Sequence, residues 1–319
     1  MTSHDNLRKA ILQSDSVLSK YNPLERILSV DNFDSGQHGW APYFPDYDGK
    51  TDYEHRYPYV EPLDQILERT RKKTIDDRMD RRYPIGKRAI PQISNLPMWD
   101  VGTFGSWDTY ALKIPTLPSV GEMGVAMKRL NSPWNAKFRV ETYFTYKAEP
   151  SDYQLGERDI RAFFLSFDVH DPAYVRETGA QPRRWWPGVR YHNVDEDGEL
   201  VQKWQMMLNG SWGTHDGPWD YLDDGWQELG YNRAPTKFQW NYFRFTVDLA
   251  NYEYVDFNCS GKEFDVKGLK HIFKPQLPGW RASTDKTHGL VLPSFGVETN
   301  SNKRVALYLD SIVISASES

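Results

Sequence analysis

Past residue 109 the chain falls into short stretches whose apolar positions recur every second residue. In 138–147 (FRVETYFTYK), Phe138, Val140, Thr142, Phe144 and Tyr146 share one parity, and Arg139, Glu141, Tyr143 and Thr145 the other. In 161–170 (RAFFLSFDVH), Phe163, Leu165, Phe167 and Val169 oppose Ser166, Asp168 and His170. A period of two is that of a strand with one face packed and the other wet. The same pattern predicts strands over 109–115, 124–130, 188–194, 200–208, 241–249, 252–259, 289–292, 294–297 and 304–315. Gly, Pro, Asn and Asp punctuate them, as in the turn DEDG before residue 199. Many short strands with no alternating helices predict an all-β sandwich. The start of the chain differs: Leu7, Ile11 and Leu18 give residues 6–19 a short amphipathic helical pattern. Residues 63–82 are charged and are also read as helical, whereas 43–59, rich in Pro, Asp and Tyr, are read as irregular. The expected organisation is a helical arm over 1–30 and one β-sandwich domain over 31–319.

Composition narrows the function. The formal net charge is −5 with no basic block, so the electrostatic footprint of a nucleic-acid binder is missing. No apolar run approaches ~20 residues, and the first residues lack the apolar centre of a signal peptide; a cytoplasmic location without a membrane partner is expected. Cys259 is the only cysteine, which excludes an intrachain disulfide and a cysteine-based metal cluster. Aromatics make up 14% of the chain, with 12 Trp and 19 Tyr, more than a core requires. Tyr and Trp combine an apolar body with a polar handle.

Certain runs carry a resemblance: the opening DNFD…GW (31–40), the pair YALKIPT and GVAMKRL, the central FRVETYFTY, the GVRYHNV–DEDG–LVQKWQ hairpin, NYFRFTVDLANYEYVDFN and the closing LYLDSIVIS. Together they resemble the concanavalin A-like (laminin G/glucanase) jelly rolls, and among them a bacterial branch often met beside sugar-catabolic genes. The resemblance spans about residues 31–315. It implies that the first and last strands pair side by side and that the ligand is a carbohydrate. The superfamily's lectins, retaining glucanases and alginate-type lyases leave the reaction open. The glucanase signature E-x-D-x-x-E is absent, as is the alginate-lyase triplet of R-x-E-x-R, Q-I-H and Y-F-K strands. No family's catalytic residues can be carried over, and fold alone does not give function.

The polar parities of five strands suggest one concave floor. Glu141, Asp168, His170, Arg190 and His192 are its candidate catalytic residues: imidazoles and carboxylates for proton transfer, guanidinium for a sugar carboxylate or a developing enolate. Tyr143, Gln202, Trp204, Trp240, Tyr242 and Arg244 are expected to bind substrate on the same floor. Trp185 and Trp212 are expected to do so from the Trp-rich loops at 181–187 and 210–226, where binding residues concentrate. Asp31, Asp34 and Asp310, on the expected first and last strands, offer hard oxygen ligands for a structural Ca2+; no organic cofactor is implied. Two readings stay open. One is an enzyme acting on a small glycoside, as hydrolase or lyase. The other is a non-catalytic sugar-binding or assembly module working through its Trp loops. The partner in either case is a small saccharide, and the helical arm suits a homodimer or higher homo-oligomer.

Overall fold

A computed structural model describes residues 3–42, 92–95, 110–131, 136–149, 156–171, 183–185, 187–210, 219–231, 238–270, 272–273 and 290–317. The expected helix over 63–82, the irregular 43–59 and Trp212 lie outside them. In chain order the elements are helix α1 (Ser3–Ser14), then β1 (Arg26–Asp31), β2 (Ala41–Pro42), β3 (Gln92–Asn95), β4 (Tyr110–Pro115), β5 (Met123–Met127) and β6 (Leu130–Asn131). The middle of the chain gives β7 (Lys137–Ala148), β8 (Ile160–Asp171), β9 (Arg183–Trp185), β10 (Gly188–Val194), β11 (Leu200–Met206) and β12 (Asn209–Gly210). The rest are β13 (Asp220–Trp226), β14 (Asn241–Asp248), β15 (Glu253–Cys259), β16 (Lys262–Phe264), β17 (Ile272–Phe273), β18 (Leu290–Thr299) and β19 (Val305–Ala316).

Two antiparallel sheets form a jelly-roll sandwich. Sheet A runs β16-β15-β14-β7-β19-β4-β3, with β1 also on β19, and sheet B runs β13-β11-β10-β8-β18-β5-β2. The first and last strands do pair, Asp31 lying opposite Ile312. The core between the sheets is built from the parities that the alternation singled out: Phe138, Val140, Phe144 and Tyr146 from sheet A meet Phe163, Leu165, Phe167 and Val169 from sheet B. Aromatic rings couple the layers. Phe167 stacks on Phe245 at 5.7 Å between centroids, and Phe144 lies 5.1 Å from Phe163. Such pairs add about 0.5–1.5 kcal/mol each beyond the area they bury.

Among the boundaries that differ from the sequence reading are the end of 124–130, which splits into β5 and β6, the helix, which is Ser3–Ser14 rather than 6–19, and two that shape the sandwich. Residues 289–292 and 294–297 form one strand, β18, interrupted in sequence by Pro293. The proline is tolerated because it faces Phe167 on one side and the gap between β5 and β6 on the other, where its carbonyl accepts the Lys128 N–H. The opening strand is Arg26–Asp31, so DNFD…GW is mostly the turn that follows it. That turn carries the chain from sheet A to β2 in sheet B. Asp31 holds it: its carboxylate accepts Lys128 Nζ at 2.7 and 2.8 Å, Trp40 Nε1 at 2.9 Å and the Ser29 hydroxyl at 2.8 Å. Trp40 is buried, as is Phe33, which adopts φ 66°. Among the described residues no helix is long and apolar enough to cross a membrane.

Candidate functional site

The predicted floor divides between the two sheets. Glu141, Tyr143, Trp240, Tyr242 and Arg244 stand on or beside β7 and β14 of sheet A; Asp168, His170, Arg190, His192 and Gln202 belong to β8, β10 and β11 of sheet B. Their polar parities do point outward, away from the common core. Outward on opposite layers means opposite sides of the sandwich, so one shared hollow is ruled out.

On sheet A the outer face is closed. The segment after α1 lies across it: the Tyr21 ring meets Tyr143 edge-on at 5.8 Å, and the Tyr21 hydroxyl donates to the Ser311 carbonyl at 2.6 Å. Arg8 ties the helix down by donating to the carbonyls of Pro23 and Leu24. Beneath this arm Glu141 is fully buried. Its Oε1 accepts the Asn22 N–H at 2.9 Å and the Tyr242 hydroxyl at 2.5 Å, while Oε2 has no hydrogen-bond partner. Burial pushes its pKa up against the opposing pull of those donors and of Arg139. Arg244 and Arg139 both bind Asp256, at 2.8 and 3.1 Å. Trp240 is buried with Phe238 and Tyr308 in a second apolar cluster on this side. The arrangement is that of a braced, covered face: apart from Glu141 Oε2 these polar groups are engaged by neighbours, and the arm lies over the carboxylate.

On sheet B the outer face can be laid out by register. One row runs Glu298–Ala162–His192–Lys203–Trp226; the next runs Gly296–Phe164–Arg190–Gln205–Tyr221; a third runs Ser294–Ser166–Gly188. The third row and Asp168 beyond it are buried. In the first two rows Ala162, Phe164, Gly296 and Gln205 are buried, Glu298, His192 and Arg190 are half-buried, and Lys203, Tyr221 and Trp226 are exposed at the rim beside the DEDG turn. The Phe164 ring occupies the space over Gly296, where a Cβ would come within 2.2 Å of it, and Trp219 covers Gly188. The Arg190 guanidinium lies 6.0 Å from the Trp219 ring centroid.

The rim is where titratable groups meet solvent. His192 Nδ1 and the Tyr221 hydroxyl are 2.7 Å apart, with the two rings stacked. Desolvation, and then the neighbouring Arg190, lower the His192 pKa to about 4, so the ring is neutral at pH 7. A neutral imidazole keeps one ring proton, and in the tautomer that carries it on Nε2 the Nδ1 atom accepts from Tyr221. Burial raises the Tyr221 pKa and the Arg190 charge opposes that. Arg190 donates to Glu298 Oε2 at 2.9 Å, and Arg161 lies 3.3 Å from Oε1 of the same carboxylate. Lys203 Nζ sits 5.7 Å from the Tyr221 ring centroid. Nearby, Gln205 Oε1 and Ser166 Oγ are buried without hydrogen-bond partners.

Several predicted site residues are corrected. Trp204 and Trp185 are core residues, not binding residues. Trp204 shares its parity with Met206 and packs on Phe257, while the polar Lys203 and Gln205 take the outer face. Trp185 belongs to β9 and meets Tyr252 edge-on. Gln202 sits in a bulge with φ 53° and donates to Glu157. His170 holds its register position opposite Leu290 and Arg184, but its side chain is not among those described. The three metal candidates do not converge. Asp31 has Lys128 as its cation, the exposed Asp34 accepts from Asn32, and Asp310 is buried beside the Ser311 hydroxyl. Among the described residues no group of three His, Cys, Asp or Glu is placed to hold a metal ion, and the donor set around Asp31 does not fit Ca2+. Tyr221, Lys203, Gln205 and Glu298 were not anticipated. Tyr221 lies in WDYLDDGW, whose Asp and Gly density reads as loop although it folds as strand β13.

The chain belongs to the family described as a domain of unknown function (DUF6772), whose model matches residues 8–318. No curated protein matches it. Among solved structures it is similar to the alginate lyase AlyC3 in complex with dimannuronate, at 12% identity over 66% of this chain and 75% of that one, TM-score 0.33. It is also similar to a lectin from Bauhinia forficata in complex with GalNAc, at 11% identity over 72% and 99%, TM-score 0.35. A third is the metal-free lectin I-B4 from Griffonia simplicifolia, at 13% identity over 65% and 88%, TM-score 0.31.

Proposed function

We propose that the protein acts on an acidic saccharide at the rim of sheet B, and that it cleaves by elimination rather than hydrolysis. The observation that carries this is the 2.7 Å contact between neutral His192 and the Tyr221 hydroxyl on the row beside Arg190. Elimination needs a group to take the proton next to a sugar carboxylate, a positive charge to hold the enolate-like intermediate, and an acid for the leaving oxygen. Tyr221 is the half-exposed member. Its oxygen takes the substrate proton as its own proton passes to His192 Nδ1; the proton then returns through Tyr221 to the departing glycosidic oxygen. Arg190 faces the developing charge. A substrate carboxylate beside Arg190 offsets the field that depresses the His192 pKa, so binding itself strengthens the base.

Hydrolysis fits less well because it calls for two free carboxyl groups flanking the bond. Glu141 is sealed beneath the arm on the other sheet, Asp168 is buried, and Glu298 is committed to Arg190 and Arg161. A second reading, a sugar-binding module, is favoured by one observation: His192 is also engaged by the Val194 carbonyl, as a structural histidine would be. Incubation with acidic and neutral oligosaccharides, followed by ultraviolet absorbance of an unsaturated product, tests the first reading. Binding of acidic oligosaccharides without any product would establish the second.

A further inference from the structure

Trp226 ends β13, the edge strand of sheet B, and its indole is 56% exposed. Its backbone, by contrast, is held from several sides. Lys262 Nζ, reaching from the edge of sheet A, donates to the carbonyls of Asp224 and Trp226 at 2.9 Å each. The Gln227 N–H donates to the Gln202 carbonyl, and the Gln227 side chain accepts Trp204 Nε1 and donates to the Cys259 carbonyl. A large ring left in water on an anchored backbone is the arrangement a stacking surface needs, since the backbone freedom at that position is already lost before binding.

The register gives the ring its neighbours. His192 pairs with Lys203, and Lys203 with Trp226, so the indole stands two strands from His192 on the same face. At the usual strand spacing this is about 10 Å. The exposed Lys203 lies between them. We propose that Trp226 and Lys203 form a second saccharide subsite, in which the indole stacks on the C–H face of a further sugar ring and the ammonium pairs with that ring's carboxylate. The site beside His192 and Arg190 then takes one residue of an acidic oligosaccharide, and the edge strand takes a residue further along. This subsite has meaning only if an acidic saccharide occupies the rim.

The test is calorimetric titration of the native chain and of Trp226→Ala with di- and tetragalacturonate and with neutral cellotetraose, products being analysed after each run. Tetragalacturonate should bind the native chain more tightly than the disaccharide. Trp226→Ala should lose about ten-fold in tetrasaccharide affinity, about 1.4 kcal/mol, with disaccharide affinity unchanged. Lys203→Gln should narrow the preference for the acidic over the neutral tetrasaccharide. Because the indole is exposed, an unchanged melting temperature is expected and separates lost contact from lost fold. Equal binding of both lengths by the native chain, or full tetrasaccharide affinity in Trp226→Ala, overturns the subsite while the reading of the rim stands. Failure of every galacturonate to bind the native chain overturns both.

Discussion

The outer faces of the two sheets carry nearly the same residue types and put them to opposite use. Sheet A offers Glu141, Tyr143, Tyr242 and Arg244; sheet B offers Glu298, Tyr221, His192 and Arg190. On sheet A the arm through Tyr21 and Asn22 covers the carboxylate, which becomes part of the scaffold. On sheet B the rim keeps its tyrosine 47% exposed, with an imidazole behind it and a guanidinium alongside. A constellation of catalytic residue types therefore means little until its cover is known. The same groups brace a fold when dry and closed, and can carry protons when half-open.

The sharpest way to break this contrast is at the rim. Tyr221→Phe and His192→Ala should each lower turnover of an acidic saccharide by about 10²–10⁴-fold, with melting temperatures close to the native one; retained turnover would remove the rim from the chemistry. Next in size is Asp31→Ala, which strands Lys128 and should cost about 3–5 kcal/mol of stability in denaturant unfolding. On the closed face, Glu141→Ala leaves the Asn22 N–H and the Tyr242 hydroxyl without their acceptor. It should cost about 1–3 kcal/mol per orphaned group, with turnover per folded molecule unchanged. A loss of turnover without loss of stability would instead make sheet A the active face.

Acidity separates the faces more finely. Glu141 is raised by burial, so its folded form holds a proton more tightly than the unfolded chain does. Its stabilising share is full below about pH 4.5 and is lost as pH climbs through the raised value. His192 is lowered from 6.5 to about 4, so its share is full above pH 6.5 and is lost as pH falls toward 4. Unfolding of Glu141→Gln and His192→Gln across pH 4–9 should remove these opposite slopes one at a time. The smallest expected effect is that of a chelator: with Lys128 serving as the cation of Asp31, EDTA should leave the melting temperature where it was.

Much of this fold is legible in the chain because alternation is a local signal. The core parities of 138–147 and 161–170 read directly as the strands β7 and β8, and 188–194 matches β10 residue for residue. Partition between sheets is not local. Whether Glu141 and Asp168 share a face depends on which strands pair across long intervals, and no period of two records that. Strand β13 was hidden for another reason: Leu222 and Gly225 are the only residues it turns to the interior, too few to mark a strand among five acidic and aromatic neighbours. Trp204 misled through its type, since tryptophan suits both a core and a sugar.

Gly296 offers a way to alter this rim without touching any group proposed to handle a proton. The Phe164 ring occupies the room that a side chain at 296 would take, in the same row as Arg190 and Tyr221. Alanine at that position would act as a wedge, lifting the phenyl in its row. The height of the phenyl ring in that row is thus set by a methyl group the protein has left out, two strands away from Arg190.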